Sequence, residues 1–170
     1  LDNISWSVFA SPSLSTHYYL DRRIVSWLSE PEKAAVELGF RRAIQHQYDG
    51  AVEGLAEFYN TQDRFADAAQ TYSWAAKAER APALRENYLV GGGIAYAQAG
   101  DTVSAERLFD DAILEEPDDE RPYRYLITLV LGPRHELKAA QDMIVHGVRA
   151  GADGLRLYDA LAAVAQSDND

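Results

Sequence analysis

The side chains best suited to bind a metal ion or a phosphate lie far apart in this sequence. A helical zinc site needs two histidines at close helical spacing or a histidine beside cysteine, and the chain has no cysteine. Residues 135–138, HELK, contain only half of the zinc-protease motif. The glycines 91–93 are not followed by the lysine and serine or threonine of a phosphate-binding loop. The histidines, none of them paired, are His17, His46, His135 and His146. We therefore predict no metal ion and no cofactor.

Acidic and hydroxyl side chains do not form a catalytic pattern either. Asp110 and Asp111 are adjacent, and adjacent residues of a helix point in different directions, so they cannot face one substrate together. No serine lies in the glycine-flanked turn that presents a hydrolase nucleophile. The sequence therefore predicts a protein that is not an enzyme, although a longer parent chain could carry an enzyme elsewhere.

The net charge restricts the class of partner. The 170 residues include 27 acidic and 16 basic side chains, which give a net charge of −11. Such a charge repels the phosphates of nucleic acids and anionic membrane surfaces. A basic protein segment fits it better, although acidic residues on helices also occur simply as solvated faces. We predict a protein or peptide partner, or self-association, and no nucleic acid.

Membrane and targeting signals are weak in this chain. No run approaches the roughly 18 apolar residues that span a bilayer, and the first residues lack the basic start of a secretion signal. Because the sequence begins at Leu1 and not at Met, we expect a fragment or processed product with no direct membrane insertion. Its parent is expected to be a longer or membrane-anchored bacterial protein. The compartment is not assigned, since the absence of cysteine gives no redox signal.

Residues 89–117 space their small, aromatic and turn-forming side chains as two closely crossing helices require. Residues three and four apart share one helix face. The stripe of the first helix is Leu89, Gly92, Gly93 and Tyr96. The facing stripe of the second helix is Ala105, Phe109 and Ala112. Gly100-Asp101 stops the first helix and Pro117 follows the second, which is the punctuation of a tight helical hairpin.

This hairpin resembles a tetratricopeptide repeat (TPR), a helix–turn–helix unit of about 34 residues. The same order of residue types recurs along residues 17–153. The preceding copy is Val52, Leu55, Ala56, Tyr59, Phe65, Ala68, Tyr72 and Ala75. The following copy is Tyr123, Leu126, Ala139 and Met143, and a degenerate first copy is Leu20, Ile24, Trp27, Val36, Phe40 and Ala43. The fourth copy departs from the family at His146 and Gly151, where the repeat favours alanine and proline.

The resemblance implies an all-α fold, a right-handed TPR-like α-solenoid of about four helix–turn–helix pairs plus a C-terminal capping helix. Residues 17–166 would form this domain, between an extended leader at 1–16 and a frayed tail at 167–170. Helices are predicted near 16–28, 30–46, 50–61, 64–79, 81–99 and 102–115. Gly132-Pro133 is predicted to break the next helical hairpin, and Asp153-Gly154 to precede the last helix. The residues expected to pack the repeats are Leu55, Ala56, Tyr59, Ala68, Tyr72, Ala75, Leu89, Gly93, Tyr96, Ala105, Phe109, Ala112 and Pro117.

The leader differs from the rest because apolar side chains alternate at Ile4, Trp6 and Val8. A period of two describes an extended segment with one apolar side. It either packs over the first helices or lies in a groove of its own or a neighbouring molecule, imitating a bound peptide.

In the TPR family, the first helices of successive pairs line a concave face that holds a peptide or helix. The corresponding candidates here are Glu53, Glu57, Asn60, Asn87, Val90, Ile94, Arg121, Arg124, Tyr125 and Thr128. They would change from acidic through apolar to basic, which suits a segment with opposite charges at its ends. Alternatively, these residues occupy ordinary solvent-exposed helix positions and have no role in binding. Some members clamp a chaperone's terminal carboxylate with basic groups, but Glu53 and Glu57 occupy the matching stretch and would repel it.

Two functions follow from these expectations. The first is a non-catalytic protein–protein interaction module that binds a peptide or helix of a partner in its concave groove. The alternative is an assembly or scaffold domain that self-associates or forms the soluble arm of a membrane-anchored complex. Replacing Arg121 and Arg124 by glutamate is expected to leave folding nearly intact and to weaken an acidic-ended ligand.

Overall fold

A computed structural model describes residues 22–167, and within that range the chain is all-helical, without a strand. The elements are α1 (Arg22–Trp27), α2 (Glu30–Gln45), α3 (Ala51–Asn60), α4 (Phe65–Ala78), α5 (Pro82–Gln98), α6 (Thr102–Glu115), α7 (Glu120–Tyr125), a π-helical segment (Leu126–Leu131), α8 (Leu137–Ala150) and α9 (Gly154–Ser167). The predicted all-α class is confirmed for these residues. The predicted leader, the start of the first helix and the last three residues of the predicted tail lie outside the described range, while Ser167 ends α9.

Short-range signals set the helix ends. At the start of α2, the backbone N–H and the hydroxyl of Ser29 donate to the Glu32 carboxylate at 2.8 and 2.6 Å, as in a capping box. At the start of α6, the Asp101 side chain accepts from the Ser104 N–H at 3.0 Å and satisfies a donor that the helix leaves unpaired. These helices therefore begin where the sequence predicts.

The described residues form two compact units, one up to Thr71 and one from Tyr72, with the boundary inside α4. In the first unit α2 packs against α3. Gly54 makes this contact possible, because a Cβ at that position would lie 2.5 Å from the Phe40 ring. The buried side chains of this unit include Val25, Ala51, Leu55, Ala56, Phe58, Tyr59, Ala68 and Ala69.

In the second unit α5 and α6 form a closely packed hairpin. A Cβ on Gly93 would lie 2.5 Å from the ring of Phe109, which is fully buried. Gly91 serves a second contact that the sequence does not reveal, since a Cβ there would lie 2.9 Å from the Tyr72 ring. The two glycines therefore let α5 approach two aromatic rings on different faces.

Most of the residues predicted to pack the repeats are buried. These are Leu55, Ala56, Tyr59, Ala68, Ala75, Leu89, Gly93, Ala105, Phe109 and Ala112. Tyr72 and Tyr96 are half-buried. Pro117 differs from the expectation because its side chain is exposed. Only its carbonyl oxygen is used, as the acceptor of the Tyr123 hydroxyl at 3.0 Å. The assignment of these contacts to stacked repeats stays a prediction.

The fourth pair departs from a regular helical hairpin. After Tyr125 the chain widens into the π-helical segment, and the N–H of Gly132 donates to the carbonyl of Ile127 at 2.8 Å. The wider turn buries most of the run LITLVL against the rest of the second unit, including α9. Gly132 itself has no room for a side chain, because a Cβ would lie 2.7 Å from Val164. Long-range packing therefore replaces the regular helix that the repeat pattern favours.

The departure from the repeat at Gly151 also has a structural reason. Gly151 ends α8 with φ of 108°, a left-handed conformation that proline cannot adopt. Its neighbour in the pattern, His146, is exposed and contacts the Tyr123 ring with 5.7 Å between centroids. Helix α8 thus ends with a glycine cap at a position where the predicted repeat pattern favours proline.

Candidate binding surface

The predicted groove residues fall into both units, and each set is described by itself. On α3, in the first unit, Glu57 is exposed and accepts a hydrogen bond from the Asn60 amide at 3.4 Å. Glu53 Oε2 and Asn60 Oδ1 are buried atoms without a hydrogen-bond partner among the described residues. The acidic-to-basic gradient along one groove stays a prediction.

In the second unit Arg121 connects α7 to α5. Its Nη2 donates to Glu86 Oε2 at 2.6 Å, its Nη1 to Asn87 Oδ1 at 2.7 Å and its Nε to Asp119 Oδ2 at 2.8 Å. Asp119 also caps α7 by accepting from the Arg121 N–H at 2.7 Å. The guanidinium is therefore engaged by two carboxylates and an amide, and it is not the free cation that the sequence suggests.

Among the buried residues of the described range, Glu86 is the charged one, and it is 1% exposed. Burial raises the pKa of its carboxyl to about 7, against the attraction of Arg121, and the charges of Asp119 and Glu116 raise it further. Only Oε2 is hydrogen-bonded; Oε1 is buried without a partner among the described residues. The carboxyl can therefore accept a proton or a further donor near neutral pH.

A cavity of about 410 Å³ lies beside this network. It is lined by Ala83, Glu86, Asn87, Glu116, Asp118, Asp119, Glu120 and Arg121. Glu120 is paired with Arg156 at 2.7 Å. The carboxylates of Glu116 and Asp118 form no ion pair and accept no hydrogen bond from the rest of the described chain. The cavity is therefore acidic and contains carboxylate oxygens that are free to accept hydrogen bonds.

Helices α5 and α7 together form one surface, which we call the α5–α7 face. Away from the cavity, this face is aromatic. Tyr125 stacks on Phe109 with 6.2 Å between centroids and 20° between planes. The Arg124 guanidinium lies 5.2 Å from the centroid of the Tyr125 ring, within the range of a cation–π contact. Thr128 donates its hydroxyl to the Arg124 carbonyl at 2.9 Å. Arg124 therefore contacts an aromatic ring and has no carboxylate partner in the described range, whereas Arg121 is paired with carboxylates.

Val90 and Ile94, two of the predicted groove residues, are largely taken up by packing. Val90 is 5% exposed, and Ile94 is half-buried against the core of the second unit. Both positions therefore offer little surface, because α5 is enclosed on more than one side. The apolar middle of the predicted groove is largely used by the fold.

The sequence contained a signal for Glu86 that the groove assignment did not use. Glu86 lies three residues before Leu89 and seven before Gly93, on the same buried stripe of α5. A carboxylate on an apolar stripe needs a partner, since an unpaired buried charge is costly. That partner, Arg121, is 35 residues away in sequence.

The described range contains no group of three or more histidine, aspartate and glutamate side chains that could hold a metal ion. Within the same residues, no helix is both long and apolar enough to cross a membrane.

Comparisons with known proteins give one similarity. Over 95 residues the chain is 32% identical to "Cellulose synthase operon protein C" of Xanthomonas axonopodis pv. citri (strain 306), and the match covers 52% of this chain and 6% of that protein. The chain thus spans only a small part of this curated relative. No family model and no solved structure matches the chain.

Proposed function

We propose that this chain is a non-catalytic interaction module that binds a peptide or helix of a partner protein. The observation that carries the proposal is the face formed by α5 and α7, where the Arg121 network fixes Glu86, Asn87 and Asp119 beside a cavity. Side chains held in place by the fold lose little conformational freedom on binding. The similarity to a protein of a cellulose synthase operon supports a scaffold or protein-interaction role.

The proposed architecture is a right-handed TPR-like solenoid with α9 as its capping helix. Support comes from the α5–α6 hairpin, whose glycine-to-phenylalanine contact follows the repeat pattern, and from the packing of α9 on α8 and the π-helical segment. The segment would belong to a longer or membrane-anchored bacterial protein. Its concave face would include the α5–α7 surface.

Site-specific photo-crosslinking tests the binding face. A benzoylphenylalanine at Arg124 is expected to form an adduct with one segment of a partner protein when the full chain is incubated with extract of the source organism. The matched control carries the same group at Tyr158, an exposed position on α9 outside the face. Equal adducts from the two positions, or none from Arg124, would contradict the proposal.

The Arg121 and Arg124 double substitution is not a clean test of this face. A glutamate at position 121 would face buried Glu86 and Asp119 and would perturb the fold, since like charges there are poorly solvated. The change at Arg121 is therefore expected to disturb folding. Arg124 alone is suitable, because its contact is with an aromatic ring.

Self-association is the second candidate function, favoured by a partly apolar groove in the second unit. This groove of about 460 Å³ is lined in part by Leu89, Leu108 and Leu114, and Leu114 is 79% exposed. Under the leading proposal, light scattering should give the monomer mass of 18.9 kDa at all concentrations. A stable dimer that Leu114→Glu dissociates would favour the assembly role instead.

A further inference from the structure

The cavity between α5 and the start of α7 has a more specific chemistry than the face around it. Of its charged lining groups, Arg121 is the one cation, and it is already bound to Glu86 and Asp119. Glu116 and Asp118 retain free carboxylates. An anionic ligand would be repelled, whereas a cationic ligand would be attracted electrostatically by each unpaired carboxylate.

Glu86 supplies an independent sign of a missing partner. Its Oε1 is buried and accepts no hydrogen bond, although the residue lines the cavity. A buried acceptor without a donor is destabilising, and a charge-assisted donor is the strongest remedy. An N–H donor that carries positive charge would therefore satisfy Oε1 and offset the charge of the cavity together.

The helix that borders the cavity does not oppose a cation. The first N–H groups of a helix carry partial positive charge. Here the Asp119 carboxylate accepts from the N–H of Arg121 and so neutralises that end of α7. Arg121 acts as a positioning residue, because it holds Glu86 and Asp119 without filling the cavity.

We propose that this cavity binds the side chain of a lysine or arginine in the partner protein. The inference rests on the proposed interaction function and names the chemistry that this site recognises. The volume of about 410 Å³ accommodates either side chain. A basic residue of the partner would place its N–H donors against the Glu86 carboxyl, beside Glu116 and Asp118, which also line the cavity.

Titration of the full, isotope-labelled chain with Nα-acetyl-lysine N-methylamide, followed by NMR, tests the site. Saturable shifts are expected at the amides of Glu86, Asn87 and Asp118, and the arginine amide should act at the same place. The uncharged norleucine amide should bind at least about tenfold more weakly, since it lacks the charged donor. Binding should also strengthen from about pH 6 to about pH 8, because the ionised carboxylate is the better acceptor.

Variants separate the site from general charge attraction. Glu86→Gln should weaken binding of the lysine amide about tenfold, and Asp118→Asn about threefold while leaving the Arg121 network intact. Asp159→Asn removes one exposed charge on α9 and should leave binding of the lysine amide unchanged. Equal binding of the norleucine amide, unchanged binding by Glu86→Gln, or saturation by calcium chloride alone would overturn the inference.

The two proposals fail separately. If neither basic amide binds but the photo-adduct at position 124 persists, the cavity assignment is wrong and the interaction function stands. If the amides bind as expected and no partner is captured at position 124, the cavity does bind a basic side chain, but the proposed interaction with a partner protein is wrong.

Discussion

Replacing Gly93 by leucine is expected to lower the free energy of unfolding by about 1–3 kcal/mol or more, as overpacking of a filled core does. The first added carbon alone would lie 2.5 Å from Phe109, a ring with no exposed surface. Leucine stabilises a helix relative to glycine by only about 0.8 kcal/mol, which is less than the expected cost of overpacking. Urea denaturation followed by far-UV circular dichroism measures the change.

Gly91→Leu is the matched control on the same helix. Its Cβ would meet the outer end of the Tyr72 ring at 2.9 Å, but this ring is half-buried and can move away. The loss of stability should therefore be clearly smaller than at Gly93. Equal losses, or a wild-type midpoint for Gly93→Leu, would mean that the α5–α6 contact is misplaced.

Helix positions could be predicted from sequence because short-range signals set them. The predicted helix 102–115 is observed as Thr102–Glu115, and 81–99 as Pro82–Gln98. Gly100-Asp101 separates the two, and the Asp101 side chain caps the second. Residues close in the chain determine these ends, so a pattern in the sequence is sufficient to find them.

The π-helical segment could not be predicted in this way. LITLVL is compatible with a regular helix, and in the structure this π-helical segment has buried residues that belong to the core of the second unit. The close approach of Gly132 to Val164 joins positions far apart in sequence. Nothing within the six residues carries that information. The division of the described residues at Thr71 and Tyr72 was not predicted either.

The candidate site shows the same limit more sharply. The sequence predicts that Arg121 lines a groove, which stays a prediction. In the structure Arg121 lies at the cavity, and its charge is paired with Glu86 on another helix. Spacing along one helix cannot show a partner on the next. The free cation of the face is Arg124, whose aromatic neighbour Tyr125 is adjacent in sequence and was predicted beside it.

Glu86 is expected to make the protein less stable as the pH rises from about 4.5 to about 7. Its carboxyl has a pKa of about 7 in the folded chain, mainly because of burial, against an ordinary value of 4.5. Between these values the folded state binds more protons than the unfolded state, so the free energy of unfolding falls with rising pH. The full effect is about 3 kcal/mol at 1.36 kcal/mol per pKa unit.

Glu86→Gln separates this effect from that of carboxyl groups outside the Arg121 network. Glutamine keeps an oxygen for Arg121 but cannot titrate, so the variant should lose the decline in stability across that pH range. Carboxyls such as Glu32 and Asp101 act in the opposite direction and at lower pH, because hydrogen bonds to Ser29 and Ser104 lower their pKa values. These groups are present in both proteins, and their contribution cancels in the difference.

Urea unfolding of the two proteins at several pH values gives that difference directly. Carbon-detected NMR of the Glu86 carboxyl gives an independent reading, with a midpoint expected near 7. Parallel pH profiles for wild type and variant, together with a carboxyl midpoint near 4.5, would show that Glu86 is solvated and ionised in the folded chain. Its unpaired oxygen would then be satisfied by water, and the acidic cavity would lose the group that most requires a bound cation.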